Sequence, residues 1–163
     1  MPTVKISYTT LSALTITLDS LASGSSRQSA LLDNSVSLYD DILLGFAATT
    51  PAAGTLAAGS PNVTYYVAAL MDGTHYADGC TGSDGAFTPP GQINSVQCAV
   101  IGVGTSAQVL GAILTAYGGP VSVAALFGGQ VPQKLVVWAT NNLGVATGTG
   151  NAVAAIGVLY TSA

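Results

Sequence analysis

The amino-acid sequence predicts an all-β fold: a single β-sandwich domain over residues 1–163, jelly-roll-like, with about eight short strands. Three observations carry this. Helix formers are scarce, since glutamate is absent and lysine and arginine together number 3, and no long stretch repeats apolar residues at helical spacing. Val, Ile and Thr number 41, and β-branched side chains suit a pleated surface. The 20 glycines and 7 prolines punctuate the chain at turn-like intervals.

Strands are expected wherever apolar residues alternate between turn signals. The first is Leu11 to Leu18, with Leu14, Ile16 and Leu18 on one face. The Ser23 to Ser26 turn leads to a short strand at Gln28 to Leu32. In Leu38 to Thr49, Ile42, Leu44 and Phe46 share a face. The Ala- and Gly-rich stretch Pro51 to Pro61 reads as a loop. Val63 to Met71 is a strand with Tyr65, Val67 and Met71 on one side. The long loop Asp72 to Gly91 precedes strands at Ile93 to Val103 and Ala107 to Tyr117. Val121 to Phe127 fits either one helical turn or a short strand. Lys134 to Thr140, the turn Asn141 to Gly144 and a final strand Asn151 to Thr161 complete the order. No repeat of fixed period and no linker marks a second domain.

Charge is the second unusual feature. Only 6% of residues are charged, where a soluble domain carries about 25%. The charged residues are Lys5, Arg27 and Lys134 against seven aspartates. On a surface of roughly 7,400 Å², expected from chain length, each charge would command about the area that one partner buries in a standard interface. No charge lies between Asp84 and Lys134 or beyond Lys134. Much of the surface is therefore expected to be covered by other chains, the alternative being a secreted domain kept soluble by Ser, Thr, Asn and Gly.

Several classes are disfavoured. A net charge of −4 with scattered cations does not suit nucleic acid. Met1 to Thr10 lacks the basic region and apolar run of a signal peptide, and no uninterrupted apolar stretch is long enough for a spanning helix. Neither a nucleic acid, a membrane nor a small-molecule substrate is expected as a partner. Cys80 and Cys98 are expected to stay reduced, with a bridge as the lesser alternative.

No residue is assigned a catalytic, cofactor-binding or metal-binding role, and no cofactor is expected. The lone histidine, His75, reads as a loop residue; a Ser/His/Asp set has no nucleophile-elbow motif to support it. Asp72-Gly73, Asp78-Gly79 and Asp84-Gly85 recur every six residues in one loop. Asp-Gly is a turn signal, and neither an EF-hand nor a calcium nonapeptide spacing is present; an incidental cation is the alternative. Asp40 and Asp41 point to opposite faces of a strand, so they read as its solvated start rather than as a catalytic pair. Of Tyr65 and Tyr66, one should face the core and the other outward. Arg27 is expected to have a fixed partner such as Asp33, Asp19 or backbone carbonyls, or else to be simply exposed.

The segment Leu21 to Ala30, with its Ser26-Arg27-Gln28-Ser29 turn, resembles a turn near the N-terminus of small virion proteins of tailed bacteriophages. The aromatic strand Val63 to Met71, the loop Thr81-Gly82-Ser83-Asp84-Gly85-Ala86-Phe87-Thr88, the strand Leu135-Val136-Val137-Trp138 and the turn Asn141 to Gly144 follow in a similar order. The resemblance spans nearly the whole chain. It implies a non-enzymatic capsid decoration or cement protein that clamps shell subunits from outside the head. Its partners would be the major capsid protein and copies of itself, as a dimer or trimer. It would be made in the host cytoplasm and placed on the outer surface of the virion. The low charge departs from what an outward-facing shell component would carry, so a fibre-base, tail or receptor-binding module is the alternative. An enzyme would require His75, a serine and an aspartate in one pocket.

Overall fold

A computed structural model describes residues 3–162. In chain order the strands are β1 (Val4–Tyr8), β2 (Ser12–Ala13), β3 (Ser26–Gln28), β4 (Leu32–Asp33), β5 (Asp41–Thr49), β6 (Gly54–Thr55) and β7 (Asn62–Ala69). They continue with β8 (Gly85–Phe87), β9 (Val96–Gly102), β10 (Val109–Leu110), β11 (Thr115–Ser122), β12 (Lys134–Asn141) and β13 (Ala152–Ser162). Helix is confined, among the described residues, to a 3-10 turn at Ala77–Gly79 and to α1 (Val123–Leu126).

The topology follows from four nested antiparallel pairs: β1 with β13, β3 with β12, β5 with β11, and β7 with β9. Rolling this ribbon up sets β13 beside β5 and β12 beside β7. Two sheets result, β1-β13-β5-β11 and β8-β3-β12-β7-β9. The eight nested strands make a jelly roll. β2 continues β1 along β13, β4 continues β3 along β12, and β8 is added at the edge; β6 and β10 form a separate small ribbon.

The main core lies between the sheets. Ile42, Leu44, Phe46 and Ala48 of β5 face Val63, Tyr65 and Val67 of β7 and Leu135, Val137 and Ala139 of β12. Phe46 and Tyr65 meet with ring centroids 4.6 Å apart. At the centre of the second sheet the alternate residues do not face water. Ala68, Val136 and Trp138, with Tyr66, are covered by Tyr76, Ala77, Cys80 and Phe87 from the 72–91 loop. Tyr66 stacks on Trp138 at 4.0 Å, and the indole N–H donates to Ser95 Oγ at 3.0 Å. β12 is thus buried on both faces, which is why its residues read as a continuous apolar run.

Several expectations need correction. Leu11 to Leu18 is not a strand beyond β2, although Ile16 and Leu18 are buried as the alternation implies. Leu14 N–H bonds to Val153 in the first sheet while Thr15 C=O accepts from Ala30, so this segment crosses between the sheets and has no ladder of its own. β1 was not foreseen. The strand expected at Gln28 to Leu32 is split into β3 and β4, and the one at Ala107 to Tyr117 resolves into β10 and β11. The loops at Pro51 to Pro61 and Asp72 to Gly91 contain β6 and β8. β7 ends at Ala69, which leaves Met71 exposed instead of in line with Tyr65 and Val67. The ambiguous stretch after Val121 resolves into the end of β11 and the single turn α1.

Gly148 marks a close crossing of two chain segments. A Cβ there would lie 2.2 Å from the Thr50 carbonyl oxygen, and the Gly148 N–H donates to Thr49 C=O at 2.7 Å. Gly24 differs: it has a φ of +78° and open space around its Cα. Gly148→Ala should therefore cost about 2–3 kcal/mol through a forced backbone shift, and Gly24→Ala only about 1 kcal/mol of left-handed strain. Urea denaturation followed by circular dichroism measures both; equal costs would show that the crossing yields freely.

Candidate functional site

The aspartates define how this chain uses charge. All seven accept a hydrogen bond from a backbone N–H. Asp19 binds Gly150 and Asn151, Asp33 binds Ser35, and Asp40 binds Tyr160. Asp72 binds Thr74 and His75, Asp78 binds Asn94 and Ser95, and Asp84 binds Thr17. Asp41 takes the N–H of its own neighbour Ile42 and that of Ala124, and the Ser122 hydroxyl donates to it at 2.7 Å. Ser122 in turn accepts from Ala125, so serine and aspartate together cap α1. Asp41 is consequently buried, which corrects its reading as a solvated strand start; its neighbour Asp40 is exposed.

Arg27 has a fixed partner, but not one of those expected. Its Nε donates to Asp84 Oδ1 at 2.8 Å, while Asp19 closes the Gly150-Asn151 turn and Asp33 lies 3.6 Å from Lys134 Nζ. Asp84 also receives the Thr17 N–H and hydroxyl, at 3.0 and 2.6 Å. One carboxylate thereby joins β3, the 72–91 loop and the crossing segment. The Arg27 guanidinium, with Thr17, holds the Asp84 carboxyl at about 2. Burial works against ionisation of Asp78, but the donors from Ser95 and Asn94 outweigh it and hold that carboxyl below its ordinary range.

The carboxylates of the three Asp-Gly pairs thus close and anchor the loop that covers Trp138, although Gly85 itself opens β8 instead of forming a turn. Among the described residues no group of three or more His, Cys, Asp or Glu side chains converges as a metal site would require. His75 is exposed, with Nδ1 2.7 Å from Asp72 Oδ2, and no serine hydroxyl is hydrogen-bonded to it. Its hydrogen bond, ahead of those from the His75 and Thr74 amides, holds Asp72 at about 2. Both cysteines are free thiols: Cys80 lies in the cluster outside the second sheet and Cys98 packs against the main core. Burial pushes both up to about 12, which leaves no thiolate at neutral pH.

The remaining candidates are surfaces. The charge-free stretch from Gly85 to Gln133 supplies β8, β9, β10, β11 and α1. β9 and β11 are edge strands of the two different sheets and pack against each other, so this stretch closes one whole flank of the sandwich. Val100, Val109 and Ile113 are exposed along it. Among the described residues the outer face of the first sheet, unlike that of the second, has no covering layer. It carries an apolar groove of about 490 Å³ lined by Leu43, Ala47, Tyr117, Pro120, Ala154 and Ile156, among others. No helix among the described residues is long and apolar enough to cross a membrane. Sequence reasoning found the uncharged flank from its missing charges, but missed the groove, whose floor of Gly and Ala gives no signal in a linear pattern.

No family model, curated protein or solved structure matches the chain.

Two outcomes check the site. Because the Asp84 carboxyl is depressed in the folded protein, its contribution is complete above the unfolded value near 4 and is lost as pH falls toward about 2. Asp84→Asn should lower stability by about 1–2 kcal/mol at pH 7 and flatten the decline between pH 5 and 2; an unchanged pH slope would exclude the Arg27–Asp84–Thr17 junction. Thermal melts with and without chelator should coincide. A large downward shift with chelator would reassign the Asp-Gly loop as a cation site.

Proposed function

We propose that the protein is a non-enzymatic structural subunit of a virion, a head decoration or cement protein that binds the outer surface of the capsid and stabilises the shell. The observation that carries this reading is the uncharged flank formed by β9 and β11, with β10 beside them in sequence. With ten charged side chains on 8058 Å² of surface, and most of them bound to other groups of the same chain, little remains to keep this flank apart from a neighbour. Uncharged polar groups such as Gln92, Gln97 and Gln108 tolerate water before assembly. They can form hydrogen bonds across an interface without the several kcal/mol that burying an unpaired ion costs. The major capsid protein is the partner this reading requires.

The jelly roll is compatible with this role but does not select it, because one fold hosts many functions. A fibre or receptor-binding module would be favoured by exposed tyrosines gathered at a loop end. The exposed tyrosines here, Tyr8, Tyr117 and Tyr160, lie on strands of the first sheet.

The test is binding of folded variants to particles that lack the protein. Val100→Lys and Gln97→Lys, at exposed positions of β9 on the flank, should retain the native circular dichroism and lose at least about tenfold in shell binding. Met71→Lys, exposed beside the charged loop, should bind within about twofold of the parent. Equal binding by all three variants would refute the flank as the shell contact.

A further inference from the structure

The outer face of the first sheet has a shape that complements itself. Tyr117 of β11 stands across from Ala47 of β5, and Ala47 across from Ala152 of β13. One step along, Gly45 is opposite Ala154, and Ala154 opposite Ala13 of β2. The floor of the groove is therefore made of glycine and alanine. Tyr117, 81% exposed, rises from one side of it, and the exposed Leu11 lines it as well. We propose that this face is the surface through which two copies of the chain pair, face to face about a two-fold axis, the Tyr117 ring of each copy entering the Gly/Ala groove of the other. The proposal goes beyond the shell role and stands without it.

Shape and area select a second copy as the occupant, and charge permits it. An isologous interface requires one patch to hold both the projection and the recess that receives it, and this patch holds both. A foreign partner would need only one of them.

Charge leaves the groove free to meet its own copy, the exposed carboxylate of Asp40 lying at the far end of the face on the Tyr160 N–H. Each copy carries a net charge of −4, so two copies meeting by their loop regions would bring carboxylates together. The groove is lined by no charged residue, and Asp41, at the next register position beyond Leu43 on this face, is buried and bound to Ser122 and Ala124.

The area is also sufficient. The face continues onto the outer end of β13 and its partner β1, where Tyr8 is 63% and Tyr160 51% exposed, with Val4 and Ile6 exposed beside them. Together with Tyr117 and Leu11 these side chains offer about 700 Å², close to the roughly 800 Å² that each partner contributes to a stable interface. Among the described residues β1 is paired with β13 alone, and it is exposed at every position. A two-stranded ribbon without a packed face is marginal in water, and face-to-face pairing would supply that face.

Sedimentation velocity between about 1 and 100 µM, on the protein free of particles, tests this. The parent should sediment as a dimer in the upper part of that range. Tyr117→Ser, at an exposed position, and Ala154→Arg, which fills the groove, should each weaken dimerisation at least about tenfold, while Val36→Lys in the loop before β5 should not. If Ala154→Arg fails to fold, Tyr117→Ser decides alone. A monomer throughout the range would overturn the proposal, as would a dimer indifferent to Tyr117→Ser.

Discussion

A jelly roll pairs strands that are far apart in sequence, so its long connections need fixed points against the closed sheets. In this chain aspartate holds them. A short carboxylate can reach backbone N–H groups two or three residues away, as at Asp33 and Asp72, or those of a loop brought alongside, as at Asp19 and Asp84. Glutamate, one methylene longer, fits this local geometry less well, which accounts for seven aspartates and no glutamate. Charge in this protein is chiefly internal fastening, and the surface is left to uncharged side chains. Among the described residues no buried side-chain nitrogen or oxygen lacks a partner, so the fastening is complete.

How much of this could be read in the sequence depended on where a segment sits. β5, β7, β12 and β13 were legible because they are central strands whose apolar residues face packed layers. β11 was displaced because Gly118, Gly119 and Pro120 look like a turn, yet an edge strand can accommodate glycine and proline. β1 escaped notice although Val4, Ile6 and Tyr8 alternate, since neither of its faces is buried and it carries no core signature. Leu14, Ile16 and Leu18 were assigned the correct side and the wrong structure. Burial follows alternation, but a ladder also needs a neighbouring strand, and the crossing segment lacks one.

The site was less legible than the fold. Of the three Asp-Gly pairs read as turns, Gly73 and Gly79 take positive φ while Gly85 opens β8, and what the carboxylates bind lies up to 67 residues away, as with Asp84 and Thr17. No local pattern announces such a contact. The uncharged flank was visible because absence of charge is additive along a sequence. The groove on the first sheet was not, because Gly45, Ala47 and Ala154 come together only through strand register. The two outer faces of the sandwich thus differ in kind: one is roofed by the chain's own loop, and the other lies open.

That roof has an optical consequence. Trp138 is the sole tryptophan, and it lies beneath the 72–91 loop rather than in the main core. Its indole is stacked on Tyr66, flanked by Phe87 at 5.1 Å and hydrogen-bonded to Ser95. Lifting the loop would wet the indole and detach the short edge strand β8, while leaving the remaining strands of both sheets and the Phe46–Tyr65 contact intact. Emission from this one residue therefore reports on the outer layer, and far-ultraviolet dichroism on the sheets. Where the two signals separate along a denaturation curve, the roof and the sandwich are distinct cooperative units within one short chain.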